Sequence, residues 1–137
     1  MKKILICLLL CAFVLGGCSS VDLSNQNAGT VKLTILGPDQ TILDEELSFA
    51  EGMSAYDITL SALKNKDMSF ETEGSGQSLY FKRIGDFGAG DYGDMSGWLY
   101  YINSKSAEVG CSSYKLKDGD TILWKYTDDF TKEELFS

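Results

Sequence analysis

The sequence predicts an α+β fold, a β-grasp-like small mixed sheet with one main helix. Six segments have the two-residue alternation, or the aromatic and β-branched content, that is typical of strands: residues 31–35, 42–49, 68–73, 79–84, 97–103 and 121–126. Only residues 54–66 have apolar residues at helical spacing. A hairpin, then a helix, then further strands is the order of a β-grasp-like domain.

The N-terminal residues predict export. Lys2 and Lys3 precede an apolar run, residues 4–15, of a length that suits a secretory signal peptide and falls short of the roughly 20 residues of a membrane span. The run ends in Leu15-Gly16-Gly17-Cys18, which resembles the lipobox of bacterial lipoprotein precursors. The resemblance implies cleavage after residue 17 and lipidation of Cys18, and places the chain at the extracellular face of the bacterial cell membrane. The alternative is an ordinary signal peptide with an incidental cysteine.

The remaining chain divides into three parts. Residues 18–30 are polar and predict a lipidated cysteine followed by a flexible tether, residues 31–127 form one domain, and residues 128–137 form an acidic tail that we expect to be loosely held. The net charge is −8, and it becomes −10 once the two lysines of residues 1–17 are removed. Such acidity argues against nucleic acid as a partner.

Two residue counts bear on chemistry. The chain has no histidine, which removes the usual general base and the commonest transition-metal ligand. We therefore predict no catalytic residues, no metal site, no required cofactor and no enzyme activity. Cys111 is the only cysteine within the predicted domain, so no internal disulfide is expected.

The first hairpin and the helix have clear local signals. Residues 31–49 contain two alternating strands around the turn residues Gly37 to Gln40. Ser54 is a predicted N-cap, with Asp57 in the position of a capping box. An apolar stripe along this helix comprises Ala55, Ile58, Ala62 and Leu63.

Residues 85–97 contain five glycines and predict a long loop that is either mobile or a ligand-facing lid. Its three aspartates suggest either a cation site or a soluble loop, of which we favour the second: Asp86, Asp91 and Asp94. Asp118-Gly119-Asp120 is a predicted β-turn, although its spacing also suggests a fragment of a calcium loop.

The aromatic residues exceed what a core of this size needs. We expect Trp124 to be in the core, whereas Trp98 is equally suited to the core or to a ligand surface. Further aromatic residues, some of which must be exposed, are Tyr80, Phe81, Tyr92, Tyr100 and Tyr101. An exposed aromatic cluster usually marks a binding surface.

Several motifs resemble the C-terminal domain shared by transcobalamin and intrinsic factor. They comprise Ala55-Tyr56-Asp57-Ile58, Phe70-Glu71-Thr72-Glu73, Ser75-Gly76-Gln77-Ser78-Leu79-Tyr80, Gly97-Trp98-Leu99-Tyr100-Tyr101-Ile102-Asn103, Val109-Gly110, and Tyr114-Lys115-Leu116-Lys117-Asp118-Gly119-Asp120-Thr121-Ile122. The aromatic strand motif Gly97-Trp98-Leu99-Tyr100-Tyr101-Ile102-Asn103 and the Tyr-x-x-x-Asp-Gly-Asp motif that begins at Tyr114 are specific when they occur together.

The resemblance implies that this domain lies as a lid on one face of a corrin ring. It implies a ligand-binding set of Leu79, Tyr80, Phe81, Trp98, Tyr100, Val109, Gly110 and Cys111. The expected ligand is cobalamin or another corrinoid. Cys111 stands where the family more often has a small apolar residue, so its thiolate is either a cobalt ligand or, as we favour, a small packing group.

This sequence lacks the large helical barrel that covers the other corrin face in the family. We therefore expect a partner domain or transporter to supply the other half of the site. The alternative function is a protein- or glycan-interaction module of the cell envelope that binds no corrinoid.

Overall fold

The computed structural model describes residues 27–132. The predicted signal peptide, Cys18 and most of the tether lie outside this range. The elements are, in order, β1 (Asn27–Leu36), β2 (Thr41–Ala50), α1 (Ala55–Asn65), β3 (Phe70–Glu73), β4 (Tyr80–Ile84), β5 (Phe87–Gly88), β6 (Gly97–Ile102), β7 (Lys105–Ser106) and β8 (Thr121–Thr127). Among the described residues, no helix is long and apolar enough to cross a membrane.

The main sheet has the strand order β2-β1-β8-β6-β7. β1 pairs with β8 in parallel, whereas the other pairs are antiparallel. The first and last strands thus lie side by side in the middle of the sheet. This mixed sheet with a single main helix confirms the predicted α+β, β-grasp-like class.

Helix α1 covers one face of the main sheet. Ser54 Oγ accepts a hydrogen bond from Asp57 N–H at 3.1 Å, and the Asp57 carboxylate accepts one from Ser54 N–H at 2.8 Å, which confirms the capping box. The predicted apolar stripe is buried. Thr59 is buried with it, and its hydroxyl accepts a hydrogen bond from the Trp124 indole N–H at 3.1 Å. Trp124 is therefore a core residue, as predicted.

A second sheet, β3-β4-β5, packs against the same core. The pairing of β3 with β4 shifts register between Glu71 and Thr72, so that Lys82 is an extra residue in β4. This bulge interrupts the alternation of β4. As a result Phe81 and Ile84, three positions apart, both face the core.

The structure corrects the predicted tether boundary. Residues 27–30 were assigned to the tether, but they form the start of β1 and pair with β2. The Thr30 N–H also donates a hydrogen bond to Asp118 Oδ1 at 2.9 Å. The hydrogen-bonded part of β1 therefore begins before the alternation of apolar residues that predicted the end of the tether.

The glycine-rich loop is held by specific hydrogen bonds and contains β5. The Asp91 carboxylate accepts a hydrogen bond from Gly88 N–H at 2.8 Å and pairs with Arg83 at 3.0 Å. These two contacts hold the pKa of Asp91 below its usual value. The Tyr126 hydroxyl donates to the Gly88 carbonyl at 2.6 Å. Asp91 therefore has a structural role in fixing the loop.

The start of the predicted tail is also attached to the domain. Thr127 is the last residue of β8 and is buried. The Phe130 N–H donates a hydrogen bond to the Met95 carbonyl at 3.0 Å. Phe130 is therefore attached through its backbone to the end of the glycine-rich loop, while residues 133–137 of the predicted tail lie outside the described residues.

Candidate functional site

Two chain segments form the candidate binding surface. One is residues 76–80, which lead into β4, and the other is residues 107–112, which follow β7; we call them together the loop edge. Gly110 allows their close approach, because a Cβ atom there would lie 2.2 Å from the Gln77 carbonyl oxygen. The Ser112 hydroxyl donates to the Gly76 carbonyl at 2.6 Å. Two segments that are distant in sequence are thus joined at this edge.

Four of the eight residues predicted to contact a ligand have part of their surface on the loop edge. Tyr80 and Val109 are 44% and 48% exposed. Leu79 and Gly110 are half-buried beside them. Tyr80 is the cross-strand partner of Glu73 in β3. The exposed surface of the loop edge therefore includes apolar area from two side chains.

Phe81 and Cys111, two further predicted contacts, are core residues. The Phe81 ring stacks on Tyr56 and meets Trp124 edge-on, with both centroid distances at 5.2 Å. Cys111 is 2% exposed, and its thiol donates a hydrogen bond to the Leu79 carbonyl at 3.4 Å. The structure thus turns both side chains away from the surface on which the sequence analysis placed them.

Burial also bears on the interpretation of Cys111 as a cobalt ligand. Removal from water raises the pKa of the Cys111 thiol to about 11. The thiol is therefore protonated at neutral pH, whereas metal coordination requires a thiolate. The geometry fits the small packing group that the sequence analysis favoured.

Trp98 and Tyr100 are on the core-facing side of β6. The Trp98 indole N–H donates to the Phe87 carbonyl at 2.9 Å, and its ring meets Tyr126 edge-on at 5.2 Å. Tyr100 stacks on Trp124 at 4.9 Å. Both are half-buried. The eight predicted residues therefore do not form one continuous aromatic face, because the alternation of β6 directs the rings of Trp98 and Tyr100 towards the core.

A shallow recess of about 250 Å³ adjoins the loop edge. It lies beside the short edge strand β7, and its apolar lining includes Ile102, Ala107, Val109 and Tyr114. The Tyr114 hydroxyl donates to the buried Asp120 carboxylate at 2.9 Å, which also accepts from Lys117 N–H at 2.9 Å. Asp120 thus closes the predicted turn and fixes one wall of the recess.

The sequence analysis missed Ile102 and Tyr114 as residues that line the recess. Both lie within motifs that were recognised, but their roles depend on the fold that brings β6 and residue 114 together. Within residues 27–132, no three side chains of the metal-binding types converge.

A family model described as a domain of unknown function, DUF4430, matches residues 52–128. No curated protein matches the chain. The fold is similar to that of haptocorrin in complex with Cbi, with a TM-score of 0.66 and 17% identity over 77% of this chain. The chain spans 26% of the haptocorrin chain.

The fold is also similar to that of a candidate metal-binding protein from Ruminococcus gnavus. The TM-score is 0.53 with 13% identity, and the match covers 74% of this chain and 99% of that protein. At these identities both likenesses concern the fold. Since the family model covers more than half of the 137 residues, the chain belongs to the DUF4430 family, and its domain is transcobalamin-like in fold.

Proposed function

We propose that this protein is a lipid-anchored, extracytoplasmic binding protein that holds a cobalamin-type corrinoid at the loop edge and has no catalytic role. The observation that carries the proposal is the likeness of its fold to haptocorrin in complex with Cbi. A corrin is a broad apolar disc fringed with amides. Tyr80 and Val109 offer apolar area to the disc.

The recess beside β7 supports a shared site. Pockets that enclose a small ligand usually have volumes of about 300–1,000 Å³. The recess of about 250 Å³ is smaller, so it can take only an edge of a corrinoid. We propose that a partner domain or transporter covers the remaining face, and that the isolated chain binds in the micromolar range.

A titration of the purified full chain with cobinamide and cyanocobalamin tests this function. Calorimetry and corrin absorbance would measure Kd for the wild type and for the double variant Tyr80→Ala, Val109→Ser. Both side chains are about half exposed, so the double variant should fold. We expect its binding to weaken by at least about tenfold, a loss of roughly 1.4 kcal/mol.

Tyr92→Ala is the matched control, because Tyr92 is an exposed tyrosine outside the loop edge. It should bind corrinoid like the wild type. Two results would contradict the proposal: no wild-type binding up to about 1 mM, near −4 kcal/mol, or unchanged binding by the double variant. The first result would favour the protein- or glycan-interaction module, whereas the second would mean that the corrinoid binds elsewhere on the protein.

The lipid anchor is tested separately by Cys18→Ser in a bacterial host. Diacylation supplies enough buried methylene groups for stable anchoring, whereas the unmodified serine supplies none. We expect the wild type to incorporate an alkyne-labelled fatty acid and to sediment with membranes, and the variant to do neither. An unlabelled wild type would refute the anchor while leaving the corrinoid proposal intact.

A further inference from the structure

Large apolar side chains are exposed at two separate places within residues 27–132. Tyr80 and Val109 belong to the loop edge, whereas the second group comprises Tyr92, Met95 and Phe130. Strand β6 connects the two places. Its last residue, Ile102, lines the recess, and its first, Gly97, lies beside the second group, because a Cβ atom there would be 2.7 Å from the Phe130 ring. These ends of β6 are about 17 Å apart at the usual strand rise.

A cleft of about 430 Å³ opens at this second place. Its volume is within the usual range for ligand pockets, whereas the recess at the loop edge is smaller. Three segments converge on the cleft, namely the β1–β2 turn, the glycine-rich loop and the end of β8. The residues that line it include Asp39, Tyr92, Lys125, Tyr126, Thr127 and Asp128. The cleft is therefore distinct from the surface proposed for the corrinoid.

Tyr92 is exposed but fixed in place. Its side chain is 57% exposed, while its ring contacts Tyr126 edge-on at 5.7 Å and Phe87 at 6.3 Å. The Tyr92 N–H donates to Ser96 Oγ at 3.1 Å. An aromatic ring held this way loses little conformational entropy when a ligand packs on it.

Two carboxylates of the cleft are unpaired within residues 27–132. Asp39, in the β1–β2 turn, and Asp128, directly after β8, are both exposed. Neither carboxylate accepts a hydrogen bond or pairs with a cation in that part of the chain. By contrast, the adjacent Asp129 accepts a hydrogen bond from Thr131 N–H at 2.8 Å and pairs with Lys132 at 3.2 Å. The cleft therefore carries two negative charges that the described protein groups do not neutralise.

The other polar groups of the lining already have partners. Lys125 is engaged in an interaction of its own. The Thr127 hydroxyl is buried, donates to the Asp129 carbonyl at 3.2 Å and accepts from the Asp129 N–H at 3.1 Å. The Tyr126 hydroxyl donates to the Gly88 carbonyl at 2.6 Å. A ligand in the cleft therefore meets the ring of Tyr92 and the two unpaired carboxylates.

This combination favours a positively charged ligand. The face of a tyrosine ring attracts an ammonium group through the quadrupole of the ring. The Asp39 and Asp128 carboxylates attract the same charge and repel an anion, and the net charge of −8 favours the approach of cations. A neutral ligand would gain the contact with the ring but neither of these attractions. We propose that this cleft is a second binding site, for a small organic cation that carries an alkylammonium group.

The test uses the purified full chain and two cations, choline and cadaverine, each with an uncharged counterpart of similar shape. The counterparts are 3,3-dimethyl-1-butanol and 1,5-pentanediol. Saturation-transfer NMR would detect binding and calorimetry would measure Kd at an ionic strength of about 20 mM, where screening is weak. We expect at least one cation to bind with a Kd of about 1 mM or tighter. Its uncharged counterpart should bind at least about tenfold more weakly.

Three variants separate the contributions of charge and ring. Asp39→Asn combined with Asp128→Asn keeps the shape of both side chains and should weaken cation binding about fivefold or more. Tyr92→Ala should weaken it about threefold or more, whereas Tyr92→Phe, which keeps the ring, should stay close to the wild type. All three side chains are exposed, so the variants should fold.

The matched control is Glu46→Gln combined with Glu51→Gln, which changes the net charge by the same amount. Both are exposed residues away from the cleft, in the middle of β2 and after its end, so cation binding should stay within about twofold of the wild type. The proposal is overturned if neither cation binds at about 1 mM, or if the uncharged counterparts bind as tightly as the cations. It is equally overturned if the double Asn variant or Tyr92→Ala binds like the wild type, or if the control weakens binding as much as the double Asn variant does. Corrinoid binding is tested through Tyr80 and Val109, so failure here is separable from failure of the corrinoid proposal.

Discussion

The environment of Cys111 predicts a low reactivity of its thiol in the folded protein. Its thiol is buried, bonded to the Leu79 carbonyl, and has a pKa raised to about 11 by burial. At pH 8 we therefore expect alkylation by iodoacetamide to be slower in the folded protein than in urea by about two orders of magnitude or more. Mass spectrometry of the labelled chain over time would measure both rates.

The same shift predicts a pH dependence of stability. An unfolded thiol titrates near 8.5, so between about 8.5 and 11 the folded state binds more protons than the unfolded state. The stabilising contribution is full below about pH 8.5 and is lost as the pH rises towards 11. Labelling of the folded protein at the rate of the unfolded protein would contradict this account. The free energy of unfolding should also fall between about pH 8.5 and 11 in the wild type, and Cys111→Ala should abolish the part of this fall that is due to the thiol. A wild type without the fall, or a variant with the same fall, would equally contradict the account.

The residue scale also shows where sequence reasoning stops. Tyr80 was predicted to contact ligand and is exposed, whereas its neighbour Phe81 in β4 is buried. A family motif names consecutive residues, but a strand sends consecutive side chains to opposite faces. Which face meets the core depends on the element packed against it, as the contact of Phe81 with Trp124 of the main sheet shows. That partner is 43 positions away in the printed sequence.

At the scale of elements, an element can be predicted when the residues that determine it are close together in the sequence. Helix α1 was predicted with its N-cap because the capping box involves only Ser54 and Asp57. The β1–β2 hairpin was likewise predicted from alternation and turn residues. In contrast, the start of β1 at Asn27, the bulge at Lys82 and the short strand β5 depend on pairing with other strands. No local pattern in the sequence marks these features.

The glycine-rich loop shows the same limit from another side. Its composition suits a mobile segment, and the sequence analysis expected either mobility or a lid. In the structure, Arg83, Asp91 and Tyr126 form contacts that hold the loop, and they come from β4, the loop itself and β8. The position of Tyr92 is a consequence of these long-range contacts.

On the scale of the whole molecule, the two sheets share one core, and Phe81 links them. Its ring comes from the small sheet and contacts Tyr56 of α1, Phe70 of β3 and Trp124 of the main sheet. Phe81→Ala should therefore lower the free energy of unfolding by about 3–5 kcal/mol. Tyr80→Ala, at the adjacent exposed position, should lower it by less than about 1 kcal/mol.

Urea denaturation followed by tryptophan fluorescence and far-UV circular dichroism would measure both changes. Trp98 packs against Tyr126 and Phe87, and Trp124 lies in the shared core, so fluorescence reports on both parts of the molecule. With one core, the two signals should give the same midpoint for the wild type and for each variant. Separate midpoints in Phe81→Ala would mean that the small sheet unfolds independently. Residues 76–80 of the loop edge lead into β4 of the small sheet. In that case the loop edge could open without unfolding of the main sheet, and ligand binding there would stabilise only part of the molecule.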